Sequence, residues 1–108
     1  MTVDHALRAR ISRAVTEALQ PLPAVFAGWE GGSAALGAVD AYSDIDLEYL
    51  VADDASFELL YAAAEGALAT VSPITATHVP LKGRYYKLAD GGDFLLVDLI
   101  FFRVGDAD

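Results

Sequence analysis

The chain has 108 residues, 55% of them apolar, with no cysteine and a formal net charge of −9. That length and composition describe one folded domain over residues 1–108 with a single core, and exclude a disordered chain. Zero cysteines exclude disulfides and thiolate metal sites, and seven scattered basic residues cannot grip a nucleic-acid duplex. No window approaches the ~18–20 apolar residues of a membrane span, and "MTVDHALRAR" lacks the apolar stretch of a signal peptide, so no membrane is expected and a cytoplasmic location is.

In chain order, Thr2 is expected to cap a helix over Val3 to Gln20, whose Leu7, Ile11, Val15 and Leu19 follow helical spacing, with Pro21 and Pro23 ending it. "AVFAGW" (Ala24 to Trp29) reads as a short buried strand, broken by "EGGS". Small residues from Ser33 to Gly37 allow a helical turn, and Asp44 to Ala52 alternates as a strand. Asp53 or Asp54 should cap a second long helix, with Phe57, Leu60, Tyr61, Ala64 and Leu68 on one face. "ITATHV" (Ile74 to Val79) is a further strand. Arg84 to Phe102 reads as two strands around a two-residue Gly91-Gly92 loop, which sets Tyr85 opposite Asp98 and Lys87 opposite Leu96. The expectation is an α/β fold: a mixed sheet with helices packed against it.

Chemistry concentrates in "GGSAALGAVDAYSDIDLEYL" (Gly31 to Leu50). Alternation along a strand puts Asp44 and Asp46 on one face, with Cα atoms roughly 6–7 Å apart, while Ile45, Leu47, Tyr49 and Val51 face a core. Two adjacent carboxylates repel, and a divalent cation such as Mg²⁺ relieves both the repulsion and the lost hydration. On that spacing alone, solvated or capping aspartates are the more common explanation. The turn at Gly31, Gly32 and Ser33 adds weight to a site, because its free backbone N–H groups suit a triphosphate tail. An anionic nucleotide would need a metal ion to screen the carboxylates of so acidic a chain.

"GGS" (Gly31 to Ser33) followed by "SDIDL" (Ser43 to Leu47) resembles the nucleotidyltransferase superfamily that includes DNA polymerase β, nearest its minimal bacterial members and the aminoglycoside and lincosamide nucleotidyltransferases. The resemblance implies a nucleotidyltransferase-like fold over most of the chain. It implies that Gly32 and Ser33 contact the β- and γ-phosphates, and that Asp44 and Asp46 hold two Mg²⁺ ions. A third carboxylate should stand on a late strand, where Asp98 is the candidate within "FLLVDLIFF"; Glu48 is a rival third ligand, and an ion pair of Asp98 with Arg84 or Arg103 is the structural alternative. Leu36 stands where small members often carry arginine, which implies a weaker hold on the nucleotide or a degenerate site.

The implied activity is Mg²⁺-dependent transfer of a nucleoside monophosphate, AMP being the expected group, from an NTP such as ATP to a hydroxyl of a small molecule or protein. Pyrophosphate leaves, and Asp98 assists deprotonation of the acceptor. Lys87 is the basic residue expected to meet the triphosphate, with solvent-facing Lys87 weighed equally. Larger relatives carry an additional helical domain, so a homodimer or a toxin-like helical protein is an expected partner. The rival functions are a catalytically degenerate antitoxin acting by complex formation and an acidic domain with purely structural aspartates. Trp29 reads as core filling, with base stacking the alternative, and His5 and His78 lack metal-ligand spacing.

Overall fold

The computed structural model describes residues 4–31, 44–93 and 95–106. Helix α1 (His5–Leu19) starts at Asp4, not Thr2. The Asp4 carboxylate accepts the N–H of Leu7 at 2.9 Å, satisfying an otherwise unpaired donor of the first turn. Strands β1 (Val25–Glu30) and β2 (Ile45–Val51) follow, then helix α2 (Phe57–Val71) and strands β3 (Ile74–His78), β4 (Arg84–Leu88) and β5 (Val97–Arg103). Short 3₁₀ turns at Ala89–Gly91 and Val104–Asp106 complete the described elements. The expected helical turn at Ser33 to Gly37 lies outside the described residues.

The five strands form one mixed sheet in the order β1-β2-β5-β4-β3. β2 and β5 run parallel at its centre, and the other neighbours are antiparallel. Residues 45, 47, 49 and 51 of β2 and 97, 99 and 101 of β5 are buried with Leu7, Ile11, Val15 and Leu19 of α1 and Leu60, Tyr61, Ala64 and Leu68 of α2 in one core. The helices therefore cover one face of the sheet, and among the described residues no helix covers the other. A partly buried polar cluster ties α2 to the sheet: Glu65 accepts hydrogen bonds from the Tyr86 hydroxyl at 2.6 Å and from Arg84 at 2.7 Å. The Arg84 guanidinium also lies 4.1 Å over the Tyr61 ring. Burial and the Glu65 acceptor push the Tyr86 hydroxyl well above the usual tyrosine range.

Three local expectations are corrected. "AVFAGW" was expected to be a buried strand, but β1 is an edge strand whose residues from Phe26 onward are exposed. Its apolar composition matches that of a central strand, yet only β2 pairs with it. Helix α2 is capped by Ser56, whose hydroxyl accepts from the N–H of Leu59, rather than by Asp53 or Asp54. Asp53 instead accepts from the N–H of Gly105 at 2.7 Å, and its carbonyl accepts from Arg103. β4 ends at Leu88 and β5 begins only at Val97, so the terminal hairpin is not closed by two glycines; Ala89–Gly91 winds into a 3₁₀ turn instead. The longer turn keeps the expected register: Tyr85 pairs with Asp98 and Tyr86 with Val97.

Replacing Ser56 with Ala should lower stability in urea denaturation by about 1 kcal/mol, whereas Asp54→Ala should change it by less than about 0.5 kcal/mol. Equal losses for the two would contradict the observed cap.

Candidate active site

The uncovered face of the sheet carries the even-numbered side chains of β2 and β5. Parallel pairing sets Asp46 directly beside Asp98 and Glu48 beside Ile100. Neighbouring strands lie about 4.8 Å apart, close enough for the two carboxyl groups to share a proton or a cation. Asp98 is only 9% exposed. Its Oδ1 is buried with no hydrogen-bond partner among the described residues. Burial first, then the charge of Asp46, a hydrogen bond shared with Asp46, and the charges of Asp44 and Glu48 raise the Asp98 carboxyl to about 6. The cations considered as structural partners are engaged elsewhere: Arg84 pairs with Glu65, and Arg103 donates to the carbonyls of Asp53 and Ala55.

Asp44 stands just before β2, held in place from two directions. Arg8 of α1 donates from Nη2 to its backbone carbonyl at 3.0 Å, and the N–H of Leu96 donates to its carboxylate. Burial and the neighbouring charge of Asp46 raise the Asp44 carboxyl, against the lowering effect of Leu96 and Arg8. The carbonyl of Leu96 in turn accepts the N–H of Ile45 at 2.9 Å, so the start of β5 fixes the start of β2. Arg8 is a positioning residue that the sequence reading missed. Its signal was present: Arg8 lies three residues before Ile11 and seven before Val15, on the apolar stripe of α1, where a cation needs a partner.

β1 delivers the chain to this same corner. The N–H of Gly31 donates to the carbonyl of Asp46 at 2.8 Å. A side chain at position 31 would run into the Glu48 carboxylate, with Asp46 Cβ only 3.8 Å away, so the close approach requires glycine unless Glu48 moves. Gly32, Ser33 and Leu36 follow in the segment outside the described residues. Glu48 accepts the indole N–H of Trp29 at 3.1 Å. Trp29 does not fill the core: it is 46% exposed on the carboxylate face, its ring parallel to that of Phe102 at 6.5 Å.

Lys87 and Tyr85 share this face of β4, opposite the buried Tyr86 and Leu88. Lys87 donates to the carbonyl of Asp93 at 2.6 Å and so braces the hairpin turn. Tyr85 stands across from Asp98, but among the described residues it makes no hydrogen bond to it. His5 and His78 are both exposed on other elements.

Among the described residues no three acidic or histidine side chains converge into a cluster that could hold a metal ion. The donor chemistry nevertheless suits a hard cation. Mg²⁺ takes oxygen ligands, usually one or two carboxylates completed by water and substrate phosphates, and the orphaned Asp98 Oδ1 beside Asp46 is such a pair.

No protein-family profile and no curated protein matches the chain. Solved structures do. The GLD-2/RNP-8 complex aligns over 93% of this chain and 42% of its own, at 16% identity and a TM-score of 0.59. The CD-NTase CdnG of Bradyrhizobium diazoefficiens in complex with GTP aligns over 95% of this chain and 34% of its own, at 21% identity and a TM-score of 0.58. The CdnC:HORMA-deltaN complex of E. coli MS115-1 aligns over 94% and 37%, at 17% identity and a TM-score of 0.59. The chain thus has the nucleotidyltransferase fold, as the glycine turn and the D-x-D strand implied. It spans about a third to two-fifths of the length of these structures. Among the described residues no helix is long and apolar enough to cross a membrane.

The raised Asp98 carboxyl has a stability consequence. Its folded pKa of about 6 exceeds the ordinary value of 3.8, so the folded state holds the proton more tightly. The stabilisation is complete below about pH 4 and is lost as pH rises through about 6. In metal-free buffer, Asp98→Asn should therefore gain stability over the unsubstituted protein across that window, by on the order of 2 kcal/mol. A pH-independent difference between the two in urea denaturation would contradict the crowded carboxylate pair.

Proposed function

We propose that the chain is a nucleotidyltransferase acting on an NTP, with ATP the expected donor, and an acceptor hydroxyl. The observation that carries the reading is the juxtaposition of Asp46 and Asp98 across the central parallel strands, with Asp98 Oδ1 buried and unpartnered. Asp46 and Asp98 would hold Mg²⁺, with Asp44 beside them contributing charge but not, among the described residues, completing a three-carboxylate cluster; the ion would supply charge neutralisation of the phosphates and polarisation of the reacting phosphoryl group.

The chain's own residues do the rest. The acceptor hydroxyl oxygen forms a bond to the α-phosphorus while the bond from that phosphorus to the bridging oxygen of the β-phosphate breaks, and pyrophosphate leaves. The hydroxyl proton passes to the Asp98 carboxylate. Gly32 and Ser33 are assigned to the β- and γ-phosphates, because Gly31 brings the chain up beside Asp46. Lys87 is assigned to the phosphate tail, exchanging the Asp93 carbonyl for a phosphate oxygen. Arg8 fixes the backbone from which Asp44 projects. A protein partner belongs to the proposal too, since two of the similar structures are complexes with a second protein.

The test is incubation with each α-labelled NTP and Mg²⁺, with product analysis by mass spectrometry and pyrophosphate release. Label transfer should favour ATP, and Asp46→Asn should reduce it by ~100-fold or more, as loss of a charge-neutralising group does, while leaving the circular-dichroism spectrum unchanged. Undiminished transfer by Asp46→Asn would overturn the assignment.

A further inference from the structure

The other end of β5 carries a groove that the carboxylate chemistry does not use. Pairing between β4 and β5 ends at Arg84 opposite Leu99. From Ile100 to Arg103, β5 pairs with β2 on one side, and among the described residues no strand pairs with it on the other. Gly83 causes the break. It takes φ +73°, and a Cβ there would lie 2.8 Å from the Leu99 carbonyl oxygen and 2.9 Å from Ile100 Cγ1. The chain passes tightly over β5 at this point and turns away, so β4 begins only at Arg84.

What remains is a cavity of about 370 Å³ along the unpaired edge, between α2 and residues 79–83. Its volume falls within the roughly 300–1,000 Å³ typical of ligand sites. The unpaired stretch from Ile100 to Arg103 is about 10 Å long at ~3.3 Å per residue, the span of a few residues of extended peptide. Phe57, Ile100 and Phe102 form apolar walls. Val79 and Leu81 stand exposed at the rim.

Charge selects the occupant. In a chain with net charge −9 and seven basic residues, three of the seven, Lys82, Arg84 and Arg103, line this one groove; Arg84 is neutralised by Glu65, which leaves Lys82 and Arg103 against the single acidic Asp106 of the lining. Lys82 is exposed and makes no described hydrogen bond or ion pair. Arg103 is anchored through Nη1 to backbone carbonyls, which neutralise no charge. The groove is therefore apolar within and cationic at its border.

We propose that this groove receives an extended peptide segment of a partner protein, rich in acidic and β-branched residues, which adds to the edge of β5 in line with β4. Backbone hydrogen bonds to the unpaired edge give the segment its register, its alternate apolar side chains lie on the uncovered face beside Ile100 and Phe102, and its carboxylates meet Lys82 and, on the helix-covered face, Arg103. The site neither requires nor excludes nucleotide transfer. Gly83 separates it from the carboxylate cluster, a Cβ at that position being 3.6 Å from Asp98 Oδ1.

The probe is an acetylated, amidated hexapeptide of alternating valine and glutamate, titrated into ¹⁵N-labelled protein. Amide resonances of Gly83 and of Ile100 to Phe102 should move, with little change on β1 or β3. A peptide of the same sequence N-methylated at alternate residues should bind ~10-fold more weakly, the loss expected for about two backbone hydrogen bonds. Lys82→Glu, at an exposed position that leaves the fold intact, should weaken the unmodified peptide ~3-fold, and a valine–lysine peptide should bind more weakly than the glutamate one. No shifts at millimolar peptide, shifts confined to the β1 or β3 edge, or equal binding of the N-methylated or lysine peptides would each overturn the proposal.

Discussion

Parallel pairing between β2 and β5 imposes opposite demands on the two faces of the sheet. On one face residues 45, 47, 49 and 51 and their partners 97, 99 and 101 are buried against both helices, which makes the register of this pair expensive to change. A slip of β2 by one residue would drive Asp46 and Glu48 into the core, and a slip of β5 would do the same to Asp98. The apolar face thereby fixes which carboxylates meet on the other face, and Asp46 beside Asp98 is the result. Electrostatic repulsion between them is tolerated because hydrophobic burial behind the sheet outweighs it, and the tension is visible in the raised Asp98 carboxyl.

The surroundings reinforce that placement. Arg8 reaches from α1 to the carbonyl of Asp44, Leu96 clamps the same residue from the start of β5, and Gly31 returns the end of β1 to Asp46. Three separate elements converge on one corner of the sheet, which is the arrangement needed to hold reacting groups to within a fraction of an ångström. The far end of β5 is built differently. There the tight passage of Gly83 stops β4 short and leaves an edge unpaired, so one strand serves a carboxylate cluster at its start and an open groove near its end.

Much of this was legible in the sequence because strand periodicity is strict. Alternation alone placed Asp44 and Asp46 on one face and Ile45, Leu47, Tyr49 and Val51 on the other. The hairpin register, with Tyr85 opposite Asp98, survived a wrong turn assignment because the longer observed turn is centred on the same residues. What escaped was non-local. "AVFAGW" carries no mark that says edge rather than centre, since that depends on which strands arrive later in the chain. Trp29 was read as core for the same reason. Ser56 displaced Asp53 as the helix cap because Asp53 is held by Gly105 and Arg103, some fifty residues away in sequence. Of the glycine turn, only Gly31 lies among the described residues, and its N–H, expected to be free for a phosphate, donates instead to the Asp46 carbonyl, a bond between strands that the local motif does not reveal.

The central claim is that Asp46 and Asp98 form a cation site shared with a nucleotide. Calorimetric titration of ATP with and without Mg²⁺ tests it most directly, because two ligands that share one site must raise each other's affinity by the same factor. The account predicts that Mg²⁺ tightens ATP binding by ~10-fold or more, equivalent to about 1.4 kcal/mol, and that Asp46→Asn abolishes this coupling. Equal ATP affinity with and without Mg²⁺ would contradict it.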